Sequence, residues 1–259
     1  MTPSDLLSRY QAGHTSYQNL SLPNLKLDQA DLIGANFARS DLSHASFVLA
    51  YLNRVSFAQA NLRKSNLSGA NLNQANFTKT NLGDANLHGA SLQGADLRSA
   101  NLTLADLQDV NLVNADLRNA DLSGANLSGA CLRGANLRVE SRRYYVLLRG
   151  ACLHQADLRG ANLTGADLAR VDLSEANLSE ATLRGADLRG ANLTGAILDK
   201  AFLSDANLEQ ATLARASLFD VKMERAILTR ATLVGARLKM ALLAHAKLSG
   251  ADFTDAQLT

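Results

Sequence analysis

Apolar residues recur along this chain with a period of five. From Leu22 to Leu137 each fifth position is Leu or Phe, and from Leu148 to Leu258 the same rule holds one residue out of phase, with Met223 and Phe253 the departures from Leu. Two residues before these central positions stands Ala almost throughout (Ala30, Ala35, Ala156, Ala161), otherwise another small residue or Val, with Leu20 and Leu25 confined to the start, and the residue between them is usually Asp or Asn. An α-helix turns ~100° per residue, so a five-residue step carries the apolar position about 140° round the cylinder and no apolar face forms. In an extended chain, residues two apart point the same way. Ala and the central Leu therefore face inward and the Asp or Asn faces out. That phase is lost over the next three residues, so the chain must turn at every repeat.

Glycine marks the turn. Of 17 glycines, 15 stand two residues after a centre, Gly34, Gly124 and Gly195 among them. A type II turn needs φ > 0 at its third residue, where Gly costs least and Asn, Asp and other polar residues are the usual substitutes. The unit is a strand of two or three residues followed by a tight corner. Stacked units make a coil whose strands pair with the next coil at about 4.8 Å, burying columns of Leu and Ala. Rarer residues give the number of sides. Tyr17, Phe37, Phe57 and Phe77 are central and twenty apart, and Arg98, Arg118 and Arg138, each one after a centre, continue that face at the same spacing. Twenty residues per coil is four sides; a coil of fifteen would align Phe47 with Phe77 and scatter the rest. The predicted fold is all-β, a four-sided parallel β-helix.

The repeats have the form A(D/N)Lxx, as in Ala30-Asp31-Leu32-Ile33-Gly34, Ala70-Asn71-Leu72 and Ala191-Asn192-Leu193-Thr194-Gly195. In this the chain resembles the pentapeptide-repeat family over roughly residues 16–259. The resemblance implies a right-handed quadrilateral β-helix and no catalytic residue. Eleven to twelve coils at the strand spacing make a rod on the order of 55 Å long. The opening Leu7-Ser8-Arg9-Tyr10-Gln11-Ala12-Gly13, followed by Tyr17-Gln18, is similar to the leader of many cyanobacterial members.

Residues 1–15 are expected to form a capping helix and leader, 16–139 a first repeat segment, 140–145 a loop and 146–259 a second segment of the same solenoid. In the leader Thr2 can cap, Pro3 suits the first helical position, Asp5 favours the positive dipole end, Gly13 can stop the helix, and Leu6, Leu7 and Tyr10 share a face. Such a helix would cover the open edge of the first coil. Nothing comparable follows Leu258, which admits end-to-end homodimerisation.

The spacing of eleven between Leu137 and Leu148 means that either one residue bulges or six are extruded. Six is preferred, because Glu140-Ser141-Arg142-Arg143-Tyr144-Tyr145 suits no repeat position. With one extra residue Cys131 and Cys152 would stack within disulfide reach; with six they lie on different faces.

Loops carry recognition more often than scaffolds do, so Arg142, Arg143, Tyr144 and Tyr145 form the first candidate contact. Two outward apolar groups are further candidates: Ile33, Val48, Leu49 and Tyr51 near the start, and Ile197, Phe219 and Met240 on one face with Phe202 and Leu242 on its neighbour. A basic face holds Arg39, Lys79, Arg98, Arg118 and Arg138, with Asp96 and Asp116 beside two of them, which reads chiefly as surface ion pairing and secondarily as an anion-binding stripe.

Composition narrows the rest. The 259 residues carry 26 Lys+Arg and 24 Asp+Glu, a formal +2, which disfavours both an acidic nucleic-acid mimic and a basic nucleic-acid binder. No stretch approaches the roughly 18 apolar residues of a membrane span, no secretory signal precedes the repeats, and two cysteines suit a reducing cytoplasm. A repeat that presents like side chains on successive rungs does not converge unlike groups as an enzyme must, so no catalytic residue, cofactor or metal site is expected. The leading reading is a non-catalytic scaffold that engages a protein, plausibly a cyanobacterial regulator. The rival within the same resemblance, a gyrase-directed DNA mimic of the quinolone-resistance type, requires a continuous negative surface and usually a dimer.

Overall fold

The structure is a computed structural model that describes residues 1–139 and 146–258. One helix, α1 (Pro3–Gln11), precedes a coil in which each repeat contributes one residue to a parallel ladder. Asp31 pairs with Tyr51, Ser46 with Asn66, Phe202 with Lys222, and the spacing within each segment is always 20. Four sides per coil are thereby fixed. The faces are named here by their central residues in the second coil: Phe37, Leu42, Phe47 and Leu52, in chain order, so that Phe37 and Phe47 lie on opposite sides.

Across the interruption the spacing becomes 26, in Asp121–Leu147, Asn126–Cys152, Cys131–Asp157 and Asn136–Asn162. The Val139 amide still bonds the Thr164 carbonyl at 3.0 Å in the earlier register, and Leu147 bonds the Ala120 carbonyl in the later one. The surplus is therefore six residues, 140–145, and the solenoid resumes beyond it without losing a face. Cys131 consequently stands on the Leu52 face and Cys152 on the Phe47 face, both as free thiols.

The five-residue rung is explained by where its backbone groups go. In the repeat 85–89, the Ala85 amide closes the preceding turn on the Leu82 carbonyl (3.0 Å). Asn86 donates down to Ser65 (2.9 Å), Leu87 up to Asp106 (2.7 Å) and Gly89 up to Gln108 (2.9 Å). The remaining amide, His88, donates to the Oδ1 of Asn86 two residues back, at 2.9 Å. All five N–H groups have partners. This is the role of Asp or Asn before the centre, and it recurs at Asn36, Asp41, Asn126, Asp187 and Asp252. At Ser46, Ser91 and Ser217, which take that place, an Asx side chain from the coil before replaces it. Asp28 accepts from the Ser46 hydroxyl and the Val48 amide, Asn73 from Ser91 and Gln93, and Asp199 from Ser217 and Phe219.

The turn's third residue has positive φ throughout, 62 to 72° at the fifteen repeat glycines and 53 to 63° at 31 non-glycine residues. Polar side chains were expected there beside Gly, yet Leu49, Leu104 and Met240 also adopt it. Some of these side chains lean onto a glycine in the next coil. A Cβ on Gly69 would lie 2.6 Å from Leu49 Cδ2, and one on Gly124 2.9 Å from Leu104 Cδ2. Non-glycine residues in this region cost of order 1 kcal/mol each, and the ladder bonds on both sides hold them in place.

Inside, the central residues and the small residues two before them are buried from Leu32 to Leu238. Tyr17, Phe37, Phe57 and Phe77 stack with centroids 5.2, 5.6 and 5.4 Å apart, and Phe47 meets Phe37 and Phe57 edge-on. The helix covers this column as expected: Leu6 is fully buried, and Leu7 and Tyr10 pack against the core. The Tyr17 hydroxyl donates to the His14 carbonyl (2.7 Å) with that of Leu6 at 3.1 Å, and Tyr10 donates to the Ile33 carbonyl (2.7 Å). Thr2 and Asp5 form a reciprocal capping box. At the far end, the last described coil leaves Leu248 and Leu258 exposed.

Two opposed stability effects follow. Asn86→Ala removes the partner of the His88 amide and should lower stability by about 1 kcal/mol, whereas Asn86→Asp should be tolerated. Ser65 occupies the Ala position with its hydroxyl buried and without a partner, so Ser65→Ala should raise stability by about 1 kcal/mol. Denaturant melts of the three variants check both signs.

Candidate interaction surfaces

A rod whose interior is nearly the same on every rung can differ only outside. The first predicted contact, Arg142, Arg143, Tyr144 and Tyr145, lies outside the described residues. Of the second, the fold brings Val48, Leu49 and Tyr51 to one corner, where the Phe47 face ends and the Leu52 face begins, whereas Ile33 lies a coil below Asn53 at the other edge of the Leu52 face. Ile33, Leu49 and Tyr51 are about half exposed and Val48 is half-buried. Leu49 is partly committed to covering Gly69.

The third group is dispersed. Ile197, Phe219 and Met240 share the Leu52 face, and Phe202 and Leu242 the adjoining Phe37 face, as the register implied. Between Phe202 and Leu242, however, the ladder places Lys222, whose ammonium bonds Asp220 at 2.6 Å. Ser217 separates Ile197 from Arg237 on the other ladder, and the Arg184 guanidinium sits 5.7 Å above the Phe202 ring. Charged and polar groups thus break what the sequence grouped as one patch. Sequence reading also passed over Leu104, the most exposed large apolar side chain at 66%. Its signal was available: a bulky residue at the turn's glycine position, followed twenty later by Gly124.

Within the predicted basic stripe, Arg98 and Arg118 are ion-paired. Arg98 bonds Asp96 at 2.6 Å and approaches Asp116 at 3.8 Å, and Arg118 bonds Asp116 at 2.6 Å. The same motif, Arg two after Asp, recurs as Asp157–Arg159 and Asp187–Arg189. In each of these the bonded guanidinium holds the carboxyl of Asp96, Asp157 or Asp187 below its ordinary value of 3.8.

Grouping each described outward residue with the face of its repeat shows that the balanced total conceals an asymmetry. The Phe37 face has eight bases and four acids, a net +4, while the opposite Phe47 face has two bases and seven acids, a net −5. The other two faces are each +1. The acids of the Phe47 face fall as Asp28 and three pairs, Asp106/Asp109, Asp172/Glu175 and Asp252/Asp255, and among the described residues none is in an ion pair.

No group of three metal-ligating side chains occurs among the described residues. A shallow groove of about 520 Å³ on the Leu52 face is walled by amides (Asn53, Asn73, Gln74, Gln93, Asn114) with Arg54 and Ile33. Its amides are partly spent on neighbouring donors: Gln74 accepts from the Arg54 guanidinium and Asn73 from the Ser91 hydroxyl. Nothing there converges an acid, a base and a nucleophile.

The sequence profile described as pentapeptide repeats (8 copies) matches residues 30–69, 65–103, 100–138, 151–190, 186–225 and 226–259. The chain belongs to the pentapeptide-repeat family. With membership comes the right-handed winding of the family's β-helix. Among solved structures, the chain is 33% identical to HetL, a pentapeptide-repeat protein involved in heterocyst differentiation regulation in the cyanobacterium Nostoc sp. strain PCC 7120. That match spans 98% of each chain with a TM-score of 0.42. It is 31% identical to alr5209 of Nostoc over 39% of this chain and 80% of the other (TM-score 0.36). The fluoroquinolone-resistance protein QnrB1 matches at 18% identity over 90% and 91% (TM-score 0.34). No curated protein matches. The aligned sequence, rather than superposition, is what ties this pentapeptide-repeat protein to HetL.

The ion-paired aspartates give a pH dependence with a definite sign. Their folded-state values lie below the unfolded one, so their stabilisation is complete above about pH 4 and is lost as pH falls through the folded values. Thermal melts should therefore be flat from pH 7 to pH 5 and drop below about pH 4. The triple variant Asp96→Asn, Asp157→Asn, Asp187→Asn keeps the amide-accepting oxygen and should show a smaller acid drop.

Proposed function

We propose that this pentapeptide-repeat protein is a non-catalytic, cytoplasmic scaffold that binds another protein and acts in regulation, in a role akin to that of HetL. The identity to HetL along 98% of the chain carries this reading. Supporting it, the described interior is spent on packing, while the Val48, Leu49 and Tyr51 corner, with Ile33 at the other edge of the same face, exposes apolar surface of the kind that interfaces use. The segment with Arg142, Arg143, Tyr144 and Tyr145 adds two residue types, Arg and Tyr, that are enriched at binding hot spots. In the described residues no helix is long and apolar enough to cross a membrane, and two free thiols suit a reducing compartment. The exposed Leu248 and Leu258 of the last described coil support end-to-end pairing of two copies as part of the same reading.

The gyrase-directed mimic is disfavoured, though for a different reason than total charge. One face does carry −5, but its acid pairs stand at the fifth, eighth and twelfth coils. Duplex DNA presents a negative charge about every 1.7 Å, and coils spaced at about 4.8 Å with three loaded rungs do not imitate that density.

Capture from native extract with wild type beside a variant carrying Ala at Arg142, Arg143, Tyr144 and Tyr145 tests the reading. The variant should lose at least about tenfold of the captured partner while its far-UV spectrum is unchanged. Undiminished capture rejects the segment as the contact, and a parallel variant with Ser at Ile33, Leu49 and Tyr51 then tests the exposed apolar residues of the Leu52 face and its corner.

A further inference from the structure

We propose that the Phe37 face of one molecule docks side by side on the Phe47 face of a second copy. The argument begins with the square section of the coil, which sets these two faces back to back, +4 on one and −5 on the other. A second rod laid alongside in the same orientation brings a positive face onto a negative one. Laid on the same face of its neighbour, it meets like charge instead.

The state of the charges separates the two faces further. Three of the four acids of the Phe37 face are already engaged by cations, Asp96 by Arg98, Asp116 by Arg118 and Asp205 by Arg225, and the fourth, Glu224, accepts from the Ser204 hydroxyl. On the Phe47 face, Asp109 and Asp255 have no bond to any described group, and the other acids bond amides, hydroxyls or side-chain amides rather than cations. These carboxylates retain their full field for an incoming cationic surface, and charge complementarity of this kind sets partner and register more than it sets affinity. Area is not limiting. A quarter of the 11449 Å² molecular surface is well above the roughly 800 Å² per partner of a standard interface.

The contact is heterologous, since the two participating faces differ. A translation that brings one face onto its opposite leaves the same two faces free at either side of the pair, so association does not close and continues into rows. Its strength depends on ionic strength, because the Debye length shrinks from about 10 Å at 0.1 M salt to about 3 Å at 1 M.

Sedimentation velocity of the full chain tests this. At about 20 mM salt the weight-average mass should rise with concentration to at least about twofold the 27.6 kDa of one chain, and at about 500 mM salt it should return to that of the monomer. Two variants sharpen the test. Asp109→Lys with Glu175→Lys and Asp255→Lys inverts the acidic face, at turn positions that Lys64, Lys79 and Lys200 already occupy with positive φ. Arg39→Glu with Lys79→Glu and Arg184→Glu inverts the basic one. Each variant alone should remain monomeric at low salt with an unchanged far-UV spectrum. Mixed in equal amounts they should associate again at low salt, in alternation, because the first variant is then positive on both faces (+4 and +1) and the second negative on both (−2 and −5). A wild type that is monomeric at low salt at every concentration overturns the proposal. So does association that survives both high salt and face inversion, which instead indicates apolar end-to-end contact.

Discussion

A coil made of five-residue rungs is held through the bonds of its backbone amides, because the rungs are too short to be stabilised as strands in their own right. Four of the five amides are served by the geometry of the winding itself, through one turn bond and three bonds to adjacent coils. The fifth cannot reach a carbonyl, and the Asp or Asn side chain before the centre supplies the acceptor. Everything else in the structure is arranged to let that pattern repeat: Leu and Phe fill the axis, Ala lets the corners approach, and the left-handed turn residue returns the chain to register. The Ser46, Ser91 and Ser217 rungs show how firmly this holds, since each loses its own acceptor and draws one from the coil before.

Because the requirement is local and periodic, the sequence displayed it openly. Period, number of sides, helix cap and the inward residues were all readable from Leu32, Ala35, Phe37 and their equivalents. The length of the interruption was readable as a choice between one residue and six, with six preferred, and the pairing of Asp121 with Leu147 agrees with six. The exposed groups were less readable. Sequence places Phe202 and Leu242 on one face, and the same spacing of twenty sets Lys222 between them, but the reach of Lys222 to Asp220 depends on side-chain direction in three dimensions. Leu104 was missed because a large apolar residue at a turn runs against its conformational preference, and only contact with the glycine above it gives it a place.

The surface makes a second point about scale. A formal +2 over the chain suggests an electrostatically indifferent rod, yet a repeat that assigns residues to faces by position modulo twenty can sort charge without changing its sum. The fold therefore offers two kinds of recognition at once: apolar corners such as that of Leu49 and Tyr51, and a transverse charge asymmetry running along the axis. The interior constrains neither, which leaves both free to vary with partner.

Amide hydrogen exchange resolved by residue tests the central claim most directly. Turn amides that donate to a side chain before the centre, such as His88, Ser128 and Thr164, should exchange as slowly as the ladder amides beside them. Those at Asn53, Ala58 and Ser204 follow Tyr51, Ser56 and Phe202 instead, and they should exchange faster by roughly tenfold or more. Equal exchange in the two sets would contradict the account, because the Asp and Asn column would then have no part in holding the coil together.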